Sequence, residues 1–178
     1  FIADKLHMNA NGYAIWQKLI APLLLSDEKP IANTNAGKVA GFKEGNINVF
    51  KGIPFAAPPV GELRWKAPQP IKPWSGVKDC IQFAASPVQV EPIPFMCWSE
   101  EFLIPQKPID EDCLYLNVWA KNTASKKPVL VYIYGGGFVS GGAGCAIYDG
   151  IEMAEKDVVF VSINYRVGVF GFLAHPEL

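Results

Sequence analysis

The sequence has little histidine and almost no charge excess. Two His occur in 178 residues, and 16 Lys and Arg stand against 17 Asp and Glu, a net charge of −1. Such a balance offers no basic surface to a phosphate backbone, so nucleic acid is not expected as a partner. No apolar run reaches the ~18 residues of a membrane span, so none is expected. The four cysteines, Cys80, Cys97, Cys113 and Cys145, contain no C-x-x-C pair and match no zinc spacing. They leave both disulfides and free buried thiols open. The first residue is Phe, and neither a basic start nor an A-x-A site flanks the short apolar stretch 19–25. The chain therefore reads as starting in the middle of something longer.

What is present is a core. Half of the residues are apolar and 12% are aromatic, which indicates a globular chain with enough length for one domain. Its organising stretch is 128–144, PVLVYIYGGGFVSGGAG. Val129 to Tyr134 form a continuous apolar and β-branched run. Bounded by Pro128 and Gly135, the run predicts a strand buried on both faces, as in a parallel sheet. Gly135, Gly136 and Gly137 then leave the backbone bare at the carboxyl end of that strand, where open α/β sheets bind ligands. The phosphate-binding patterns G-x-x-x-x-G-K-[ST] and G-x-G-x-x-G are both absent. A Gly-rich loop after a strand also serves as an oxyanion hole, donating main-chain N–H groups to a tetrahedral intermediate. The alternative is a glycine-rich turn with no ligand.

Near the start, Tyr13, Trp16, Ile20 and Leu23 fall at helical spacing, and Pro22 ends or kinks that helix. Ahead of it, Asp4 and His7 have the D-x-x-H spacing in which a carboxylate orients an imidazole and leaves the other nitrogen free as a base. The longer string D-x-x-H-x-N-x-x-G-Y resembles the closing block of SGNH (GDSL-type) hydrolases, which implies His7 as base and Asp4 as its partner. Residues 26–33 (SDEKPIAN) are short, polar and charged, as a linker is. The expected organisation is an SGNH-like tail over 1–25, a linker over 26–33 and a second domain over 34–178.

In that domain, 37–42 and 47–50 predict two short strands around a Glu44-Gly45-Asn46 turn. Six prolines between Pro54 and Pro73 forbid helix and central strand there. The alternation in 111–119 predicts a strand, its apolar set Leu114, Leu116 and Val118 set against Tyr115, Asn117 and Trp119. Asp149 and Glu152 have capping-box spacing for a helix to about Lys156. Residues 158–163 predict a buried strand that completes a βαβ crossover.

Four stretches, in order, resemble type-B carboxylesterases, the cholinesterase-like branch of the α/β-hydrolase fold. They are FKGIPFA with PPVG (50–61), EDCLYLNV (111–118), YIYGGGF (132–138), and NYRVG with FGFL (164–173). The resemblance implies the N-terminal portion of an α/β-hydrolase fold, with a mostly parallel sheet after a small antiparallel hairpin. It implies a carboxylic-ester hydrolase acting by serine acyl transfer, with no cofactor or metal. Gly136 and Gly137 would donate the oxyanion-hole N–H groups, and Gly135 would shape the turn. Arg64 and Glu111 would form a buried ion pair. Cys113 would close a disulfide with an upstream cysteine; the usual position holds Ser86, which leaves Cys97, the favoured partner, or Cys80.

No serine stands in the G-x-S-x-G of a nucleophile elbow; Ser140 has Phe138 where glycine is required. His175 precedes the position of that elbow in chain order and reads as structural. The 178 residues alone are expected to show no turnover. The alternative is a non-catalytic cholinesterase-like binding or adhesion module. The expected substrate is a small-molecule or polysaccharide-linked ester, and the possible disulfide and the resemblance lean towards a secreted or periplasmic protein. Oligomeric state is not legible.

Overall fold

The computed structural model describes residues 29–176 apart from 95, 97, 98, 106, 107 and 122–125. The fold is built on a five-stranded sheet. Strand β1 (Ile31–Asn33) lies within the stretch read as a linker and pairs antiparallel with β2 (Lys38–Ala40). β3 (Phe42–Glu44) and β4 (Ile47–Pro54) form a hairpin with Gly45 at φ +59° in its turn. The strand expected over 37–42 is split, since 38–40 pairs in a smaller sheet and only Phe42 of it enters the hairpin. β5 (Val77–Asp79) lies parallel to β2, and β6 (Ser86–Pro87) is paired with β7 (Ile109–Asp110). Between β4 and β5 the proline-rich stretch contributes no strand, as its missing N–H donors dictate.

The main sheet adds β8 (Tyr115–Ala120), β9 (Val129–Ile133) and β10 (Val159–Ile163), in the order β3-β4-β8-β10-β9. Helix α1 (Ile151–Glu155) connects β9 to β10, which run parallel; the other neighbours are antiparallel. The expected mostly parallel sheet is thus mixed over the described residues. A short helix, α2 (Val169–Phe172), follows β10.

The pleat separates two faces. Val49, Trp119 and Phe160 pack with Ala154 of α1 into one core cluster, with Trp119 and Phe160 ring centroids 5.8 Å apart. On the other face, Phe50 and Ile53 of β4 meet Val39 of β2 and Cys80, just after β5, with Leu116 and Val118 against them. Period 2 in β8 therefore holds, but Trp119 and Asn117, not the aliphatic set, point to the helix-covered side and are buried.

Two further expectations are corrected. β9 is the edge of the described sheet, and Val131 and Ile133 are 53% and 64% exposed because their face, opposite α1, is uncovered there. The apolar run was right for a strand, but periodicity carries no information on which neighbours are present. The capping box does not form: Asp149 accepts from the Ile151 N–H at 3.0 Å, and Gly150, not Asp149, occupies the cap position.

Candidate active site

β9 runs into Tyr134 and then into the glycine-rich loop. Tyr134 is buried and stacks on Tyr165, ring centroids 4.4 Å apart. Its hydroxyl donates to the Tyr165 carbonyl at 3.0 Å, and the Tyr165 hydroxyl donates to the Tyr134 carbonyl at 2.8 Å. Burial pushes both phenols above their ordinary range, so both remain protonated donors.

The turn itself is made by Gly136 and Gly137, at φ +128° and +60°. A Cβ on Gly136 would lie 2.0 Å from the Ser140 carbonyl oxygen, so no side chain fits. The Gly136 carbonyl accepts from the N–H groups of Val139 and Ser140, at 3.1 and 3.2 Å, which closes the loop on itself. Phe138 also has positive φ, +67°, a conformation that costs about 1–3 kcal/mol outside glycine. The Gly168 N–H holds its carbonyl at 2.7 Å, and its ring packs on Phe172 at 4.7 Å. Gly135 has no positive φ and open space where a Cβ would go. The turn expected at Gly135 therefore starts one residue later.

Among the described residues, no acceptor is bonded to the N–H of Gly136 or Gly137. Both glycines line a cleft of about 810 Å³, together with Gln89, Ile104, Tyr132 and Tyr148. Unspent main-chain donors in a cleft at a strand end are chemically suited to a developing oxyanion. Of the ionisable side chains, Glu91, Tyr132 and Tyr148 line the cleft, and burial raises the Tyr148 phenol above its ordinary range. No histidine or cysteine lines it among the described residues, and Ser140, which does, donates its hydroxyl to the Gly136 carbonyl at 3.3 Å and not to a base. No cluster of His, Cys, Asp and Glu suited to a metal occurs among the described residues.

The other expected residues are placed as follows. Arg64 meets Glu111 with both carboxylate oxygens engaged, Nε at 2.5 Å and Nη2 at 2.6 Å. The side chains are 39% and 21% exposed, so the expected buried pair is half-buried: Arg64 sits at the end of a short surface turn, Gly61–Leu63. Cys113 is a free, buried thiol, not the expected half of a disulfide with Cys97, which lies outside the described residues. It packs with Ala56 and Leu114, and burial pushes it from its ordinary value of 9.0 to about 12. Asp4 and His7 also lie outside the described residues. His175 lines a shallow pocket with Trp65 and Arg166, away from the glycine cleft.

Sequence reasoning missed Tyr134, Tyr165, Gln89 and Asn164, all of which brace the loop. A tyrosine at a strand end or an amide in a loop carries no periodic signal; only the fold brings these four to one place.

Residues 28–177 match the carboxylesterase family. The chain is 43% identical over 157 residues to fumonisin B1 esterase of Sphingopyxis macrogoltabida, which covers 85% of this chain and 27% of that protein. It is 41% identical over 151 residues to acetylcholinesterase of Bungarus fasciatus, covering 81% and 25%. Among solved structures, a PNB esterase aligns with a TM-score of 0.76 at 36% identity, over 84% of this chain and 30% of that one. The chain thus spans about a quarter to three tenths of these relatives. The match begins at residue 28, so the SGNH resemblance of 1–25 draws no support from it.

Proposed function

The chain belongs to the carboxylesterase family and forms the N-terminal part of an α/β-hydrolase fold, and from that premise we propose that it contributes the oxyanion loop of a carboxylic-ester hydrolase. In this reading a serine outside the described residues attacks the ester carbonyl. The carbonyl oxygen becomes an oxyanion that accepts from the Gly136 and Gly137 N–H groups. A histidine takes the serine proton and passes it to the leaving alcohol; water then repeats the sequence on the acyl-enzyme. The observation that carries the reading is the pair of N–H groups left without an acceptor in a cleft. Removing one such donor typically costs about 10²–10³ in kcat. The substrate is a small-molecule or polysaccharide-linked ester.

The test is to assay the protein made from its whole reading frame with p-nitrophenyl acetate and a fluorophosphonate probe. Turnover, with one probe bound per oxyanion loop, is the expected result. A reading frame with Gly or Ala at the elbow, and no turnover, would overturn it in favour of a non-catalytic binding module.

For residues 1–25 we propose the tail of an SGNH-like unit, on the string Asp4–His7–Asn9–Gly12–Tyr13. Its test is the upstream reading frame: a Gly-Asp-Ser block there is expected, and a frame without one ends the proposal.

A further inference from the structure

The ascending limb of the glycine loop is held by the sheet and by Tyr165. The descending limb, Gly141–Ala143, is held differently. Alongside it runs Ala85–Gln89, which pairs elsewhere with β7 and places Pro87, without an N–H, beside the loop. The approach is close: a Cβ on Gly142 would lie 3.1 Å from Ser86 Oγ. No main-chain hydrogen bond joins the two segments among the described residues; two side-chain amides do so instead.

The first amide is Gln89. Its Nε2 donates to the Gly141 carbonyl at 2.8 Å and to the Pro87 carbonyl at 2.9 Å. Its Oε1 accepts from the Gly141 N–H at 2.8 Å. One side chain thus satisfies both main-chain groups of Gly141, as a neighbouring strand would. The second is Asn164, buried at the end of β10. It accepts from the Ala143 N–H at 2.8 Å and donates to the Ala85 carbonyl at 3.0 Å. Gly141 in turn abuts the start of the loop: a Cβ there would meet the Tyr134 ring at 2.6 Å and the Gly135 carbonyl at 2.7 Å. A displacement of Gly141 therefore reaches Gly135 and Tyr134 directly, and Gly136 follows in the chain.

We infer that Gln89 is a positioning residue for the oxyanion donors: by clamping Gly141 it fixes the far limb of the loop, so that Gly136 and Gly137 hold their aim before substrate binds. The inference rests on the proposed oxyanion role of that loop. Preorganised donors act on the transition state more than on the bound ester, so the effect falls on kcat and not on KM. The Ala85–Gln89 segment has no disulfide of its own to hold it, since it carries Ser86 and no cysteine.

The test compares Gln89→Met, which keeps the volume and removes both hydrogen-bonding atoms, with Gln89→Glu, which accepts but cannot donate, in the full-length protein. Both are expected to lower kcat at least about tenfold on p-nitrophenyl acetate, with KM within about twofold. Amide exchange of Val139 and Ser140, whose N–H groups bond the Gly136 carbonyl, is expected to rise at least about tenfold while the β8 and β10 amides keep their protection. Unchanged kcat, or a change confined to KM, would overturn the inference, and so would a loss of protection spread across the whole sheet. Wild-type protein without turnover would remove the esterase reading alone; the exchange measurement still decides whether Gln89 orders the loop.

Discussion

Tyr134 and Tyr165 each donate a hydroxyl to the other's carbonyl, at 3.0 and 2.8 Å, across rings stacked 4.4 Å apart. The pair joins the residue that enters the glycine loop to the turn that follows β10. Each hydroxyl satisfies a main-chain carbonyl in a partly buried site, where an unmade bond costs the full desolvation of that group. Tyr165→Phe is expected to destabilise the fold by about 1–3 kcal/mol in urea unfolding, from the orphaned Tyr134 carbonyl. Because both bonds belong to one unit, the double variant should cost less than the sum of the singles. Additive losses would show that the two hydroxyls act independently.

Gly136 and Gly135 should respond differently to one added methyl group. At Gly136 the Cβ collides with the Ser140 carbonyl at 2.0 Å and the backbone sits at φ +128°. Gly136→Ala in the full-length protein keeps the N–H but forces it off its aim, and is expected to lower kcat by about 10²–10³, the loss typical of removing an oxyanion donor. Gly135→Ala meets no atom within 4 Å, so its kcat should stay close to that of the wild type. Equal losses at the two positions would mean that the turn tolerates a Cβ at Gly136 by moving.

The glycine turn and the strands around it were legible because both leave local marks. Apolar runs and breaker residues locate β9 and β10 to within a residue, and the bare Gly136-Gly137 pair names its own conformation. The mixed character of the sheet was not legible, since the antiparallel places of β8 and β4 depend on pairing across distant sequence. Nor was the orientation of β8: Trp119 points to the core because α1 covers that side, a fact no alternation pattern contains. Gln89 stands in an irregular segment beside Ser86 and Pro87 that carries no periodicity. Its grip on Gly141 spans 52 residues of sequence and has no local signature.

The Arg64–Glu111 pair is expected to depend on geometry more than on charge. Nε and Nη2 engage separate carboxylate oxygens, and the Glu111 contact holds the guanidinium pKa above its ordinary value. Arg64→Lys keeps the positive charge but cannot span both oxygens. Its melting temperature should fall nearly as far as that of Arg64→Ala. A lysine variant as stable as the wild type would show that simple charge pairing suffices at this half-exposed site.

Alkaline pH should loosen the fold through Cys113. Its folded-state value is raised from 9.0 to about 12, chiefly by burial. Below 9.0 the thiol is protonated whether folded or not, and its contribution is fully present. Above that, the unfolded chain ionises while the folded thiol does not, so stability falls as pH rises towards about 12. Cys113→Ala should show a shallower loss of unfolding free energy above about pH 9, since the tyrosine ionisation that sets in there is common to both proteins. Parallel curves would mean that Cys113 ionises equally readily in the folded state.

The edge strand β9 sets the behaviour of the 178-residue chain in isolation. Val129, Val131 and Ile133 present one apolar face, and Leu130 is also exposed. The outer main-chain groups of β9 have no strand beside them among the described residues. An exposed apolar edge is a template for pairing with a second copy. Val131→Lys places a charge in the middle of that edge without touching the Trp119 core, because odd-numbered residues of β9 face away from α1. In light scattering at increasing concentration, the wild-type chain is expected to associate and Val131→Lys to remain at lower mass. If both associate equally, the contacts lie on another surface, and the exposed aromatic pair Phe138 and Phe172 beside the loop becomes the next to alter.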